Sequence, residues 1–339
     1  MDNKYKTLKN EENSRLKFFF ISFFIAFVFG LGINIILNNS EKAEISEGSE
    51  LLTAQMNIVK SEKESKLNFD EDISEDEDFV NNEIPEIEDL EIRAKSAISV
   101  EINQDGTETI LFEKNSKSPL PIASLSKLMT ALVIFDLKES YNFSQVIRIS
   151  KTAIDQEGVS GKLKEGEYLS VENLLKIMLI QSSNDAAYAL TEPISQSAFV
   201  DLMNIYAQDI GLKNTKFFNS TGLEPIITGA PRNYSSTEDL VKLSIYILKN
   251  YPRIFEITAK TSAEILNVDG SLHHFITKNT NNLLKEIPEI IGGKTGWNPV
   301  SQGCLLIVLD NGDGSRIINV ILGAYDRFSE MKKLIKITE

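Results

Sequence analysis

Cysteine and histidine are nearly absent from this 339-residue chain, which has one of the first and two of the second. The single cysteine, Cys304, excludes an internal disulfide. No cysteine stands directly after the apolar N-terminal run, so a lipid-modified cysteine anchor is excluded as well. The stretch Cys304-Leu305-Leu306-Ile307-Val308-Leu309 is apolar and predicts a buried strand thiol rather than a reactive one. His273 and His274 are neighbours in a predicted strand and are expected on opposite faces, so at most one can enter any site. Neither stands in a motif, and a nucleophile served by the usual histidine base is not expected. The acid run Asp70-Glu71-Asp72-Ile73-Ser74-Glu75 lacks the glycine that a calcium loop needs at its sixth position. There is no internal repeat.

Charge is unevenly spread. The net charge is −14, and residues 41–93 carry 18 acidic against 5 basic side chains. Residues 94–339 are therefore close to neutral. A segment as polar and acidic as 39–93 cannot bury enough apolar surface to offset its ordering entropy, and it reads as a disordered tether. If flexible, it would span on the order of 40 Å. Before it, residues 18–38 form an apolar run long enough to cross a bilayer as one transmembrane helix. Lys4, Lys6, Lys9, Arg15 and Lys17 precede the run and acid follows it, which sets residues 1–17 in the cytoplasm and everything after the span outside. Asn38-Asn39-Ser40-Glu41-Lys42-Ala43 offers no small-x-small site for removal of the run as a signal peptide.

Residues 94–339 read as one domain with strands at both ends. Ser96 to Ile102 and Thr107 to Phe112 flank Asn103-Gln104-Asp105-Gly106 as a hairpin. Cys304 to Leu309 and Arg316 to Leu322 flank Asn311-Gly312-Asp313-Gly314 in the same way, and Asp326 to Ile337 reads as a closing helix. Between them the pattern is mostly helical, with Ser170 as cap for Val171 to Ile180 and further helical spacing over 198–209 and 237–249. The expectation is an α/β fold of α+β type, an antiparallel sheet flanked by helices with a helical insertion.

Three strings in one order carry the chemistry: Ser124-Leu125-Ser126-Lys127, Ser182-Ser183-Asn184 and Lys294-Thr295-Gly296. Ser-x-x-Lys also occurs at Ser14 and Ser329, and Ser-x-Asn at Ser140, so the order rather than any one string is the signal. Ser124 opens a segment apolar nearly all round, which belongs in a core. Residues three apart share a helix face, so the Ser124 hydroxyl and the Lys127 amine can meet at the helix's N-terminal end. A serine hydroxyl needs a base, and without a usable histidine that base is most simply Lys127. Burial and a nearby cation such as Lys294 would populate its neutral form. The plainer alternatives are Ser124 as an N-cap and Ser182 to Asn184 as an ordinary turn with a cap at Asn184.

These strings, with Pro121-Ile122-Ala123 before the first, Asp185-Ala186-Ala187 after the second, Asn279-Thr280-Asn281 and Gly293, resemble the D-alanyl-D-alanine carboxypeptidases among low-molecular-mass penicillin-binding proteins. The resemblance implies the serine β-lactamase-like fold and D-alanine removal from peptidoglycan stem peptides through a Ser124 acyl-enzyme, with β-lactam antibiotics as covalent inhibitors. It implies Ser182 as a proton relay, Asn184 as holder of the substrate amide, and Lys294 with Thr295 as carboxylate binders. Gly296 would permit close backbone approach, Trp297 would join Ser124 in an oxyanion hole through backbone N–H groups, and Arg327 would help hold the terminal carboxylate. No metal, other cofactor or nucleic-acid partner is expected.

Ser183 stands where the family usually has glycine, Asn298 where threonine is usual, and Gln302-Gly303-Cys304 where Ala-Gly-x-Cys is common. The last two bear on leaving-group specificity. A D,D-endopeptidase of the same fold is a close variant. A class A β-lactamase shares the triplet, but Glu224-Pro225 is followed by Ile226-Ile227 rather than the expected leucine and asparagine, and the second motif lacks the central aspartate. A non-catalytic wall-binding sensor would keep the fold without the reaction.

Overall fold

The computed structural model describes residues 91–137, 140–158, 161–225 and 227–338. The expected cytoplasmic tail 1–17, membrane span 18–38 and nearly all of the acidic tether 39–93 lie outside the described residues. Among the described residues no helix is long and apolar enough to cross a membrane.

Strands β1 (Ser96–Ile102), β2 (Glu108–Lys114) and β3 (Leu120–Pro121) precede helix α1 (Ser126–Asp136). A mainly helical stretch follows: β4 (Val146–Arg148), α2 (Lys151–Ile154), β5 (Tyr168–Ser170), α3 (Val171–Ile180), α4 (Asn184–Ala189), α5 (Gln196–Ile210) and β6 (Tyr234–Ser235). Next come α6 (Thr237–Asn250), α7 (Arg253–Thr258), β7 (Ala263–Leu266) and β8 (Leu272–Ile276). The chain closes with β9 (Ile290–Asn298), β10 (Gln302–Asp310), β11 (Arg316–Ala324) and α8 (Arg327–Thr338).

The main sheet is antiparallel, in the order β2-β1-β11-β10-β9, so strands from the two ends of the domain pair at its centre. Its inner strands β1, β10 and β11 are apolar on both faces because both faces are covered. In β10, Cys304, Leu306 and Val308 enter the larger core, whereas Leu305, Ile307 and Leu309 enter a smaller one with Met331 and Leu334 of α8. The period-2 alternation thus sorts one strand between two cores. Both hairpins form where the glycines predict them, with Gly106 at φ +84° and Gly312 and Gly314 at +81° and +94°.

Helix α1 is buried from Ser126 to Phe135. Branched Val133 and Ile134 cost a few tenths of a kcal/mol each in helix propensity. Their burial returns about 2 kcal/mol each, so packing decides. Ser170 caps α3 as expected, its hydroxyl accepting from the Asn173 amide at 3.2 Å.

Two details depart from expectation. The packed unit begins before residue 94: Ile92 is buried, its carbonyl accepts from Lys114, and the Arg93 amide donates to Glu330 at 2.5 Å. The two histidines do not separate to opposite faces. His273 falls in a bulge, since Ile265 faces His274 and Leu266 faces Leu272. The bulge breaks the alternation and brings the two Nδ1 atoms within 2.6 Å, with His273 Nε2 at 3.0 Å from Glu167.

Candidate active site

Ser124 sits in a single 3₁₀ turn, Ala123–Leu125, leading into α1. Ala123 before it has φ +44°, a left-handed conformation that a side-chain-bearing residue adopts only when its surroundings impose it. The surroundings do. A Cβ on Gly222, itself at φ +82°, would lie 2.0 Å from the Ala123 carbonyl oxygen, so only glycine lets the loop press that closely. A Cβ on Gly296 would lie 2.9 Å from the Ile122 oxygen and 3.2 Å from the Ser124 nitrogen. The close approach that Gly296 makes in this structure is therefore to the serine turn. Ser124 makes no capping bond; the hydroxyl bound within this turn is that of Ser126, which donates to the Ala123 carbonyl at 2.8 Å.

Lys127, fully buried, points back at Ser124. Its Nζ lies 2.9 Å from Ser124 Oγ, 2.7 Å from Asn184 Oδ1 and 2.5 Å from the Thr221 carbonyl oxygen. The Asn184 amide is oriented by its other end, where Nδ2 donates to the Glu157 carbonyl at 2.6 Å. Burial first and the Lys294 charge second hold Lys127 well below the ordinary lysine value. A neutral amine has two N–H groups and one lone pair. Neither an amide oxygen nor a backbone carbonyl can donate, so the two hydrogens go to Asn184 and Thr221. The lone pair then faces the one partner that carries a proton, the Ser124 hydroxyl.

The second motif follows α3 in a tight turn. Ser182 has φ +64°, and its Oγ accepts from Lys294 Nζ at 2.7 Å. Ser183, not Asn184, is the cap of α4, its hydroxyl accepting from the Ala186 amide at 3.1 Å. That side chain fits because Gly161 faces it: a Cβ there would stand 2.9 Å from Ser183 Oγ.

Lys294, Thr295 and Gly296 lie on β9, the edge strand, as predicted. Lys294 is buried and lowered to about 7, by burial first and the Arg327 charge second. The Thr295 hydroxyl donates to Thr280 at 2.7 Å, and the Thr280 amide donates to the Ile180 carbonyl at the end of α3. Asn279 Nδ2 ties this segment to the Thr258 and Lys260 carbonyls, each at 2.8 Å. Trp297 is largely exposed, while its backbone pairs with Gly303 of β10. Arg327 opens α8 and lines a cavity of about 390 Å³ with Gln181, Lys278 and Thr280. Its Nε is buried without a hydrogen-bond partner. Cationic Lys278 and Arg327 lining a cavity beside Thr280, the partner of Thr295, suit a carboxylate.

The structure brings Ser124, Lys127, Ser182, Asn184, Lys294, Thr295 and Gly296 together, sets Trp297 next along β9 with an exposed side chain, and places Arg327 at the adjoining cavity. Sequence reasoning missed the Thr221 carbonyl, the Gly222 contact and the Thr280 hydroxyl. Asn219-Ser220-Thr221-Gly222 did carry a turn signal, and Asn219 Oδ1 does accept from the Gly222 amide at 2.7 Å. Neither histidine is among the partners of Ser124 or Lys127. Cys304 is buried, its thiol pushed up to about 11 by burial, as its apolar run predicted.

Comparison with known proteins agrees with this geometry. Residues 81–326 match the model of the D-alanyl-D-alanine carboxypeptidase family, peptidase S11. The D-alanyl-D-alanine carboxypeptidase DacF of Bacillus subtilis is 36% identical over 240 residues, covering 70% of this chain and 59% of that protein, so the chain spans about three fifths of that relative. A D-alanyl-D-alanine endopeptidase of Escherichia coli is 29% identical over 249 residues, covering 72% of this chain and 76% of its own. Among solved structures, penicillin-binding protein D2 of Listeria monocytogenes in its ampicillin-bound form superposes with a TM-score of 0.63 at 28% identity, covering 72% of this chain and 96% of that one. With the Ser124 hydroxyl 2.9 Å from the buried Lys127 amine, and that family match over most of its length, this chain belongs to the D-alanyl-D-alanine carboxypeptidase family of penicillin-binding, serine β-lactamase-like proteins.

Proposed function

We propose that the protein removes the terminal D-alanine from peptidoglycan stem peptides. The observation that carries this reading is the three-way hold on Lys127, which leaves its lone pair for Ser124. Ser124 Oγ attacks the carbonyl carbon of the penultimate D-alanine as its proton passes to Lys127 Nζ. The backbone N–H groups of Ser124 and Trp297 receive the oxyanion, a pairing supported by the 3.2 Å between the Gly296 Cβ position and the Ser124 nitrogen. Loss of one such donor costs about 3 kcal/mol of transition-state stabilisation. The C–N bond then breaks as the proton reaches the leaving amine by way of Ser182, and D-alanine departs. Water hydrolyses the Ser124 ester in the second half-reaction. Asn184 orients Lys127 and offers its amide to the acyl part, while Lys294, Thr295 and Arg327 take the terminal carboxylate.

β-Lactams would acylate the same serine. The test is covalent labelling of the purified protein by a fluorescent penicillin together with D-alanine release from a pentapeptide. Absence of label in the parent, or label that survives Ser124→Ala, overturns the reading.

A D,D-endopeptidase is the second reading, favoured by the endopeptidase names of relatives in Escherichia coli and Pseudomonas aeruginosa. Cleavage of a crosslinked dimer in preference to the pentapeptide would select it. For location, the apolar run 18–38 and the acidic segment after it support a single-pass anchor in the bacterial cytoplasmic membrane, with residues 1–17 inside and the catalytic domain outside. Release of the full-length chain from membranes by alkaline carbonate would count against it.

A further inference from the structure

Loop 219–225 reaches the active site from beneath. Its Thr221 carbonyl binds Lys127, and its Gly222 presses on the serine turn. The entrance of the loop is braced within the fold: Asn233 Oδ1 accepts from the Phe218 and Asn219 amides, and Asn219 Oδ1 from the Thr221 and Gly222 amides. Its exit is held differently. Glu224 Oε1 accepts from Asn298 Nδ2 at 3.0 Å, and Glu224 Oε2 lies 3.0 Å from Arg232 Nε. Asn298 is fixed in turn, because its Oδ1 accepts from the Val300 and Ser301 amides at 3.0 and 2.7 Å. One carboxylate thus joins the loop beneath the general base to the end of the strand that carries Trp297.

Resting on the reading of Ser124 as the acylated residue, we propose that Glu224, clamped by Asn298 and Arg232, is a positioning residue for acylation that holds the Thr221 carbonyl against Lys127. The amine is aimed only while both of its hydrogens are engaged. If the loop exit slackens, the Thr221 acceptor withdraws and the amine rotates about its Cε–Nζ bond, so its lone pair leaves the Ser124 hydroxyl. Substrate contacts along Lys294 and Thr295 are untouched by that rotation. The effect therefore falls on the rate of the chemical step and not on binding. It also gives Asn298, which stands where the family usually has threonine, a task other than leaving-group recognition. Along β9, Lys294 and Thr295 precede Trp297, and Asn298 follows it at the strand's end.

The experiment measures the rate of penicillin acylation against penicillin concentration for full-length variants, with thermal unfolding and the fluorescence of Trp297, the chain's single tryptophan, as folding controls. Glu224→Ala and Asn298→Ala should each lower the limiting acylation rate about tenfold at unchanged apparent affinity, and the double variant should lose no more than either, as members of one contact do. The exchange pair separates positioning from general damage. Asn298→Asp alone sets two carboxylates against each other and should slow acylation. Adding Glu224→Gln restores the bond with donor and acceptor exchanged, keeps an oxygen toward Arg232, and leaves a carboxylate oxygen for the Val300 and Ser301 amides. The pair should return to within about threefold of the parent. Parent-like rates in the single variants, losses that multiply in the double, or no recovery in the exchange pair overturn the proposal while the parent still labels at Ser124. If the parent itself takes no label, the carboxypeptidase reading fails and the positioning role falls with it.

Discussion

Replacing Gly222 by alanine tests how closely the serine turn is held. The added methyl would stand 2.0 Å from the Ala123 oxygen and 2.4 Å from its carbonyl carbon. Ordinary contact needs about 3.4 Å or more, so the loop must retreat by more than 1 Å. All three nearest atoms are backbone of the Ala123–Ser124 turn, which cannot swing aside as a side-chain tip would. A misplacement of about 1 Å at reacting groups costs on the order of 10²-fold in rate. That corresponds to about 2.7 kcal/mol of barrier. Alanine at φ +82° adds a backbone penalty of about 1 kcal/mol, which acts on stability whether or not the methyl clashes.

Gly229→Ala isolates that second cost. Gly229 has φ +85°, and its Cβ position meets nothing within 4 Å. Both variants should unfold a few degrees earlier than the parent, as about 1 kcal/mol does in a domain of this size. Only Gly222→Ala should lose the hundredfold in penicillin acylation measured by stopped-flow or gel fluorescence. Acylation of Gly222→Ala within threefold of the parent, or an equal loss in Gly229→Ala, would refute the argument from close approach.

Three further outcomes are expected. The Lys294 charge helps to depress Lys127, so Lys294→Met should raise the Lys127 value and move the acid limb of the acylation profile to higher pH; a limb that stays or moves down contradicts this. Ser182 holds φ +64°, so Ser182→Gly relieves about 1 kcal/mol of backbone cost but takes the acceptor from buried Lys294 Nζ, and denaturant titration should show no net gain in stability. The same substitution should slow acylation by roughly 10²-fold or more as the proton relay is lost. Asp185 is fully buried, neither of its oxygens has a hydrogen-bond partner, and burial raises its carboxyl to about 7 from 3.8. The folded state favours its acid form, so its contribution is complete below about 3.8 and is lost as pH rises through about 7. Asp185→Asn should therefore raise Tm at pH 8 and leave it nearly unchanged at pH 4.

Much of the framework is legible in the amino-acid sequence because its signals are local. The β1–β2 and β10–β11 hairpins announce themselves through alternating apolar residues around glycine-bearing turns, and α3 through its Ser170 cap. Ser124, Lys127, Ser182, Asn184 and Lys294 are legible through their order along the chain. What escapes are contacts made by backbone atoms, which any residue can supply. The Thr221 carbonyl has no sequence signature, and Gly222 looks like any turn glycine until Ala123 is seen beneath it. The histidine pair escapes for another reason. Alternation predicts opposite faces, but a single extra residue at His273 resets the phase, and nothing in Leu272-His273-His274-Phe275-Ile276 marks where that happens.

The strand order carries a consequence for how the domain comes to be folded. β1 lies between β2 and β11, with Ser96 opposite Leu322. The serine turn packs against β9 and β10 of a sheet whose central pairing must wait for β11, the last of its described strands. High contact order of this kind makes folding slow and late. A chain stopped before Arg316 has every side chain of the proposed site except Arg327, yet no closed sheet to hold β9 against the serine turn. The proposed site is therefore assembled only once β11 has paired with β1, in one late step rather than residue by residue.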